Sequence, residues 1–127
     1  MIGVFIVAGV AADQEEGMVQ GSDVAQVPAA EVPVGALLLD VREHDEWDAG
    51  HVPGAVHIPL GELGARYTEI AQDQPLFVIC RSGIRSARAA QALAGAGWEA
   101  RNVSDGMRGW QAAGRPMTSE SGAPYVA

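Results

Sequence analysis

A short apolar run at residues 76–79 ends directly on Cys80, the only cysteine of the chain. A continuous run of this length is typical of a strand that is covered on both faces. A loop with one glycine and two arginines follows, and residues 87–96 are so rich in alanine that they predict a helix. The sequence therefore predicts a strand, a tight loop and a helix, with Cys80 at the carboxyl end of the strand.

The position of Cys80 suits a reactive thiol. Backbone N–H groups in such a loop and the positive end of the helix dipole favour a negative charge. A free cysteine has a pKa near ~8.5, and a helix N-terminus with neighbouring guanidinium groups lowers it. Arg81 and Arg85 supply these groups and are also donors for an anionic substrate. We therefore expect Cys80 to be a catalytic nucleophile that acts on a small anion; the alternative is a buried structural cysteine.

The charge balance of the chain narrows the range of its partners. The 127 residues include 16 aspartates and glutamates against 8 basic residues, all arginine, for a net charge of -8. This acidity argues against general binding to nucleic acid or to anionic membrane surfaces. The single cysteine excludes an intrachain disulfide, which fits a reducing compartment, and we expect a cytoplasmic location.

Neither a metal site nor stable membrane insertion is expected. The three histidines, His44, His51 and His57, lack metal-ligand spacing with Cys80, so we interpret them as solvated or structural. Residues 1–12 are apolar but too few to span a bilayer as a helix. They also lack the lysine or arginine of a signal peptide, so we expect an N-terminal extension, with a removed export signal as the alternative.

The chain divides into an extension, one domain and a tail. Residues 1–22 form the N-terminal extension and linker, because residues 13–22 are acidic and contain glycine. Residues 23–116 form a domain with a single modest core. Residues 117–127 form the C-terminal tail, which is small and polar from Thr118 and is expected to be mobile.

Predicted strands alternate with predicted helical segments along the domain. The strands are expected at residues 24–27, 37–41, 56–58, 76–79 and 99–103, and the helical segments at residues 28–31, 42–49, 60–70, 87–96 and 105–110. Apolar side chains in residues 60–70 recur at the spacing of one amphipathic helix. The alternation indicates an α/β fold with a parallel sheet, in which ligands bind at the carboxyl ends of the strands, where Cys80 lies.

Four segments, in order and at fitting distances, resemble the single-domain rhodaneses, or thiosulfate sulfurtransferases. Together they cover roughly residues 24–115, and their combination is highly specific although each alone is weak. They are residues 39–42 (LDVR) followed by Glu46 and Trp47, residues 50–55 (GHVPGA) followed by Ile58 and Pro59, residues 78–86 (VICRSGIRS), and residues 106–107 (GM) followed by Trp110.

The resemblance implies a fold and a reaction. The fold is a five-stranded, mainly parallel sheet with helices on both faces. The reaction is ping-pong: the Cys80 thiolate attacks the outer sulfur of a donor such as thiosulfate and releases sulfite. The resulting persulfide passes its terminal sulfur to cyanide, a thiol or a protein acceptor. No cofactor is implied, because the persulfide is the only carrier that this covalent chemistry needs.

The resemblance also assigns roles to individual residues. The loop after Cys80 would cradle the persulfide and bind the donor through Arg81, Ser82, Gly83, Ile84, Arg85 and Ser86. Gly83 would permit the tight backbone curvature, and the two arginines would orient the anionic donor. Asp40 and Arg42 would brace this loop by a charge-assisted contact; an ordinary ion pair at the end of a strand is the equally weighted alternative.

Two other functions are weighed against free-standing sulfur transfer. Related phosphatases and arsenate reductases have a loop one residue longer between cysteine and arginine, and often a histidine before the cysteine. Here four residues separate Cys80 from Arg85, and Ile79 precedes the cysteine, so sulfur transfer is favoured. The second alternative is a sulfur-relay or binding module whose acceptor is a partner protein. The sequence leaves the donor, between thiosulfate and a persulfide, and the oligomeric state open.

Overall fold

The computed structural model describes residues 24–127, so the expectations for the extension at residues 1–22 lie outside the described residues. Five strands form one sheet in the order β1-β5-β4-β2-β3, and every neighbouring pair is parallel. The strands are β1 (Ala25–Val27), β2 (Leu37–Asp40), β3 (Val56–His57), β4 (Leu76–Ile79) and β5 (Ala100–Val103). This confirms the predicted α/β class and places β4, which leads to Cys80, in the middle of the sheet.

The central strand β4 contributes to a hydrophobic core on each face of the sheet. Side chains alternate between the faces of a strand. Leu76 and Val78 therefore pack in one cluster, and Phe77 and Ile79 pack in the other. All four side chains are buried, which explains why the run shows no alternation of polar and apolar residues.

Helices cover both faces, as the family resemblance implied. The longest, α3 (Ile84–Gly95), and the short α2 (Leu63–Arg66) pack on the face of Leu76 and Val78. On the other face lie α4 (Gly106–Ala112) and a 3-10 turn at Ala29–Glu31, while α1 (His44–Ala49) follows β2. Among residues 24–127, no helix is both long and apolar enough to cross a membrane.

Helix α3 begins three residues earlier than the alanine pattern predicted. Its first turn includes Ile84, Arg85 and Ser86, which the sequence placed in the loop. The helix uses alanine where it meets the sheet, and Ala89 and Ala90 are 1% and 0% exposed. The early start matters for the site, because it brings Arg85 and Ser86 to the N-terminal turn that faces the end of β4.

The prediction of a single amphipathic helix at residues 60–70 is wrong. The segment instead forms a 3-10 turn at Leu60–Glu62, α2, and a second 3-10 turn at Tyr67–Glu69. Gly61 and Gly64 fall within it and lower its helix propensity, since glycine loses the most backbone entropy when it becomes helical. Leu63 and Ile70 are nevertheless buried in the core, whereas Tyr67 is 38% exposed.

The C-terminal segment also differs from the expected mobile tail. Thr118 pairs with His51 in an antiparallel bridge, with both N···O distances at 2.8 Å. The N–H groups of Glu120 and Tyr125 donate to the carbonyl groups of Asp48 and Ala49, at 3.1 and 3.0 Å. The carbonyl groups at the end of α1 have no partner within the helix and accept these bonds. A pattern of small and polar residues contains no signal for such backbone pairing.

Gly106 allows α4 to approach the end of β4, and its replacement should test this contact. Its φ is +59°, and a Cβ atom there would lie 2.5 Å from the carbonyl oxygens of Cys80 and Arg81. Gly114 has a similar φ of +69° but no atom within 4 Å of such a Cβ. Left-handed backbone costs an alanine about 1–2 kcal/mol at either site. We expect Gly106→Ala to lose about 1–3 kcal/mol more in free energy of unfolding than Gly114→Ala, because overpacking adds to the strain.

Urea denaturation of the two variants measures this difference. Equal losses would mean that the close contact between Gly106 and the Cys80 loop contributes nothing beyond backbone strain.

Candidate active site

Cys80 lies at the carboxyl end of β4 with hydrogen-bond donors around its sulfur atom. The Gly83 N–H donates to Sγ over 3.1 Å, and the Ser86 Oγ lies 3.3 Å from Sγ. Burial raises the pKa of the Cys80 thiol, but the Ser86 hydroxyl and the N–H groups of Ser86, Gly83 and Ser82 lower it by more. The net pKa lies below its ordinary value, which favours the nucleophilic thiolate.

Gly83 shapes the loop in the way that the sequence predicted for a tight turn. It precedes α3 with a φ of +100°, and a Cβ atom at this position would collide with the carbonyl group of Ser104. Any other residue would therefore be strained and would also push the loop away from the segment after β5. The absence of a side chain allows the Gly83 N–H to reach Sγ.

Arg85 is tied to helix α1. Its Nη1 and Nη2 lie 2.7 and 3.0 Å from the two carboxylate oxygens of Glu46. Glu46 is itself fixed, because it accepts the Glu43 N–H at 2.9 Å in the capping box of α1. The bond from Arg85 lowers the pKa of Glu46 more than burial raises it, and the bond to Glu46 raises the pKa of Arg85. The carboxylate therefore offsets much of the positive charge expected from Arg85.

Arg81 faces the C-terminal segment. Its Nε donates to the carbonyl oxygen of Ala127 at 2.9 Å. It also lines a cavity of about 420 Å³ together with Arg108, Gln111, Ala112 and Val126. The structure thus brings together Cys80, Gly83 and Ser86, whereas the guanidinium groups of the two predicted donor-binding arginines bond elsewhere.

The other loop positions are at the surface. Ile84 is 72% exposed, and Ser82 is exposed as well. Cys80 itself is only 1% exposed. The exposed residues lie on the loop and the first turn of α3, directly beside the buried sulfur.

Asp40 and Arg42 form a buried ion pair at the end of β2. Both residues are 0% exposed, and Arg42 Nη2 lies 2.8 Å from Asp40 Oδ2. The same Nη2 donates to the carbonyl oxygen of Gly50 at 2.7 Å, while Nη1 is buried with no hydrogen-bond partner among the described residues. The pair therefore ties the end of β2 to the segment after α1, and its hydrogen bonds do not end on the Cys80 loop.

Two of the histidines stack on Trp47. The imidazoles of His51 and His57 have ring centroids 3.6 and 4.6 Å from that of the indole and planes within 7° of it, and His44 contacts His57 edge-on at 5.0 Å. A ring nitrogen of His51 lies 2.8 Å from the Trp47 carbonyl oxygen. Residues 24–127 contain no group of three or more His, Cys, Asp or Glu side chains able to hold a metal ion.

Sequence reasoning missed Asn102, which lies 2% exposed in β5 next to the loop. Its Oδ1 is 2.6 Å from the Ser86 Oγ. Its Nδ2 donates to the Gly83 carbonyl at 3.2 Å and to Gln26 Oε1 at 2.8 Å. A polar residue near the carboxyl end of an otherwise largely buried strand was the available signal, since ligand-binding residues of parallel sheets gather at that edge.

The sequence profile of the Rhodanese-like domain matches residues 24–113. The chain belongs to the rhodanese-like domain family. A rhodanese-related protein from Thermoplasma volcanium has a solved structure that covers 74% of this chain and 97% of its own, with a TM-score of 0.71 and 30% sequence identity. The family assignment confirms the resemblance and agrees with the observed sheet.

This rhodanese-like chain covers very different shares of the length of two curated relatives. A protein of Allochromatium vinosum named "Sulfurtransferase" is 32% identical over 87 residues, which are 68% of this chain and 81% of that protein. The HTH-type transcriptional regulator Rv0324 of Mycobacterium tuberculosis is 39% identical over 89 residues, 68% of this chain and 38% of the regulator. The chain spans 38 to 60% of the length of three of its curated relatives.

The ion pair between Glu46 and Arg85 predicts a pH dependence of stability. Because the pKa of Glu46 in the folded protein is below its ordinary value of 4.5, the pair stabilises the fold fully above that pH. The contribution is lost as the pH falls through the lowered pKa. We expect the difference in free energy of unfolding between the native chain and Glu46→Gln to be constant above pH 4.5 and to shrink below it.

Arg85→Met provides the control for this series. Without the guanidinium, Glu46→Gln should change the pH dependence of unfolding much less. A gap between the native chain and Glu46→Gln that stays constant down to the acid transition would contradict the role assigned to the pair.

Proposed function

We propose that this rhodanese-like domain is a sulfurtransferase in which Cys80 carries a sulfane sulfur as a persulfide. The observation that carries the proposal is the Sγ atom at the end of β4, with the Gly83 N–H donating to it and the Ser86 hydroxyl oxygen 3.3 Å away. These donors stabilise an anionic sulfur without adding a charge that must titrate. The Allochromatium vinosum relative named as a sulfurtransferase supports the same assignment.

The first half-reaction loads the cysteine. The Cys80 thiolate attacks the outer sulfur of thiosulfate, the S–S bond of the donor breaks, and sulfite leaves with the bonding electron pair. A low-molecular-weight persulfide serves as donor in the same way and leaves as a thiolate. The product is a Cys80 persulfide whose negative charge lies on the terminal sulfur. The N–H groups from Ser82 to Ser86 and the N-terminus of α3 favour this anion.

The second half-reaction discharges the persulfide. A thiophilic acceptor, which is cyanide, a thiol or a protein group, attacks the terminal sulfur, and Cys80 leaves as a thiolate. The same donors around Sγ stabilise this leaving group, so they assist both steps. Neither half-reaction requires a cofactor. Cys80 must be reduced to act, which fits a reducing, cytoplasmic location.

Arg85 and Arg81 orient the anionic donor in this proposal. The pairing of Arg85 with Glu46 means that a donor must share the guanidinium with this carboxylate or displace it. Arg81 follows Cys80 in the chain and supplies a second guanidinium. Its Nε donates to Ala127, and its Nη groups would bind the donor. Because Glu46 offsets the charge of Arg85, the site attracts a dianion such as thiosulfate only weakly. Persulfide donors can therefore compete with thiosulfate.

A sulfur-relay role for a partner protein is the second candidate. It is favoured by the relatives of which this chain spans only 38 to 60%, because in them a matching segment lies within a longer protein. The donor and acceptor would then be protein groups presented to the exposed loop. The chemistry at Cys80 is the same, and only the lifetime of the persulfide and the acceptor differ.

Intact mass after brief incubation with thiosulfate tests the carrier role of Cys80. We expect the native chain to gain one sulfur atom, to lose it on addition of cyanide, and Cys80→Ser to gain none. If the native chain takes up no sulfur from thiosulfate or from a persulfide donor, the proposal fails. Arsenate and aryl phosphates would then be the substrates to test.

Thiocyanate production separates the enzyme from the relay. For a free-standing sulfurtransferase we expect repeated turnover of thiosulfate and cyanide that disappears in Cys80→Ser. Slow turnover together with a persulfide that persists in the mass spectrum would instead favour the relay.

A further inference from the structure

The Ser86 hydroxyl has one hydrogen and two acceptors. Its Oγ lies 3.3 Å from Cys80 Sγ and 2.6 Å from Asn102 Oδ1. A hydroxyl donates one hydrogen bond and accepts others. The hydrogen therefore points either to the sulfur or to the amide oxygen, and the two bonds exclude each other. Ser86 and Asn102 are 0% and 2% exposed, so both lie inside the domain.

The hydrogen bonds around Asn102 fix which end of its amide faces Ser86. The Gly83 carbonyl oxygen accepts only, so the group that lies 3.2 Å from it is the amide nitrogen. The second hydrogen of this nitrogen is donated to Gln26 Oε1 at 2.8 Å. The amide oxygen is thus directed to Ser86, and because this oxygen only accepts, any hydrogen bond in their 2.6 Å contact is donated by Ser86.

We propose that Asn102 is a positioning residue that sets the reactivity of Cys80 by competing with Sγ for the Ser86 hydrogen. In the thiol state, Cys80 S–H donates to Ser86 Oγ, and Ser86 donates to Asn102. In the thiolate state, Ser86 turns its hydrogen to Sγ and Asn102 Oδ1 gives up its donor. Ionisation of the thiol therefore costs one hydrogen bond within the domain, which opposes the other donors around the sulfur.

The competition has a direction in sulfur transfer, and this part rests on the proposed function. When Cys80 is loaded, the negative charge moves from Sγ to the terminal sulfur, and Sγ becomes a neutral, weak acceptor. Ser86 then returns its hydrogen to Asn102. Asn102 therefore favours the loaded cysteine over the free thiolate, and its removal should favour discharge over loading.

The charged groups around Cys80 make no hydrogen bond to Asn102. Replacement of Asn102 therefore acts on the thiol through the Ser86 hydroxyl or through the bond to the Gly83 carbonyl, and a Ser86→Ala background separates the two. The charged groups on the elements next to the site include Arg81, Arg85 paired with Glu46, Arg88 on α3, Arg101 of β5 paired with Glu99, Arg108 on α4, the Asp40–Arg42 pair at the end of β2, and Asp105, which accepts the Ala29 N–H.

Alkylation of Cys80 as a function of pH tests the proposal. The chain has one cysteine, so intact mass after iodoacetamide treatment measures its rate unambiguously. We expect Asn102→Ala to lower the apparent pKa of alkylation by about half a unit to one unit, which corresponds to one hydrogen bond. Asn102→Leu, which fills the volume of the amide without an acceptor, should shift it in the same direction.

A double-mutant cycle separates the hydrogen bond from a general loosening of the loop. In a Ser86→Ala background, Asn102→Ala should leave the apparent pKa unchanged, because no hydroxyl hydrogen remains to be shared. Gln26→Ala is the matched control: it removes a partner of the same amide but not the acceptor that faces Ser86, so it should cause no shift.

Two results would overturn the proposal. One is an unchanged pKa in both Asn102 variants, and the other is an equal shift with and without Ser86. Alkylation needs no sulfur donor, so these results are independent of the persulfide test. A native chain that takes up no sulfur would defeat the proposed function and leave the competition for the Ser86 hydrogen standing.

Discussion

The contact between the start of α4 and the end of β4 determines where the reactive sulfur lies. The N–H groups of Met107 and Arg108 donate to the carbonyl groups of Cys80 and Arg81, at 2.8 and 3.0 Å. Only glycine at position 106 permits this approach, because any side chain would meet the same carbonyl oxygens. Gly83 is pressed in a similar way against Ser104. Gly83 on the loop and Gly106 on the facing segment thus allow the loop to pack closely against the residues after β5. The N–H groups of the loop then lie close to the sulfur.

The site stabilises negative charge mainly with dipoles. Glu46 balances Arg85, and Asp40 balances Arg42, so two of the arginines predicted to act near the loop carry little uncompensated charge. The groups that contact Sγ, the Gly83 N–H and the Ser86 hydroxyl, are neutral. Neutral donors do not titrate, and the Gly83 N–H, which is fixed in the backbone, does not have to reorganise when charge develops on the sulfur. The chain has a net charge of -8, and with neutral donors the stabilisation of an anionic sulfur depends less on this overall charge.

The sequence predicted the parts of the structure that depend on residues close together in the chain. The order of strand, turn and helix around Cys80 was predicted correctly because the signals for all three follow one another within about 20 residues. The boundary between turn and helix was not, since α3 begins three residues earlier than the alanine pattern. Residues 60–70 failed because two glycines outweighed a helical spacing of apolar residues. The contacts of Ser86 with Asn102 and of Arg85 with Glu46 join residues 16 and 39 positions apart. Such pairs depend on strand order and helix placement, which no local pattern contains.

The burial of Cys80 and the exposure of its neighbours are consistent with a single chemical cycle. The thiolate is formed in a dry environment, where hydrogen bonds to the anion are stronger than in water. In the proposed function, persulfide formation would then move the reactive atom and its charge one S–S bond, about 2.0 Å, away from Sγ. A large acceptor would therefore approach the terminal sulfur and not the buried Sγ, on the side of the loop where Ile84 is 72% exposed. Within the contacts described around Sγ, the proposed cycle requires the movement of one Ser86 hydrogen, so the loop backbone could stay fixed while sulfur enters and leaves.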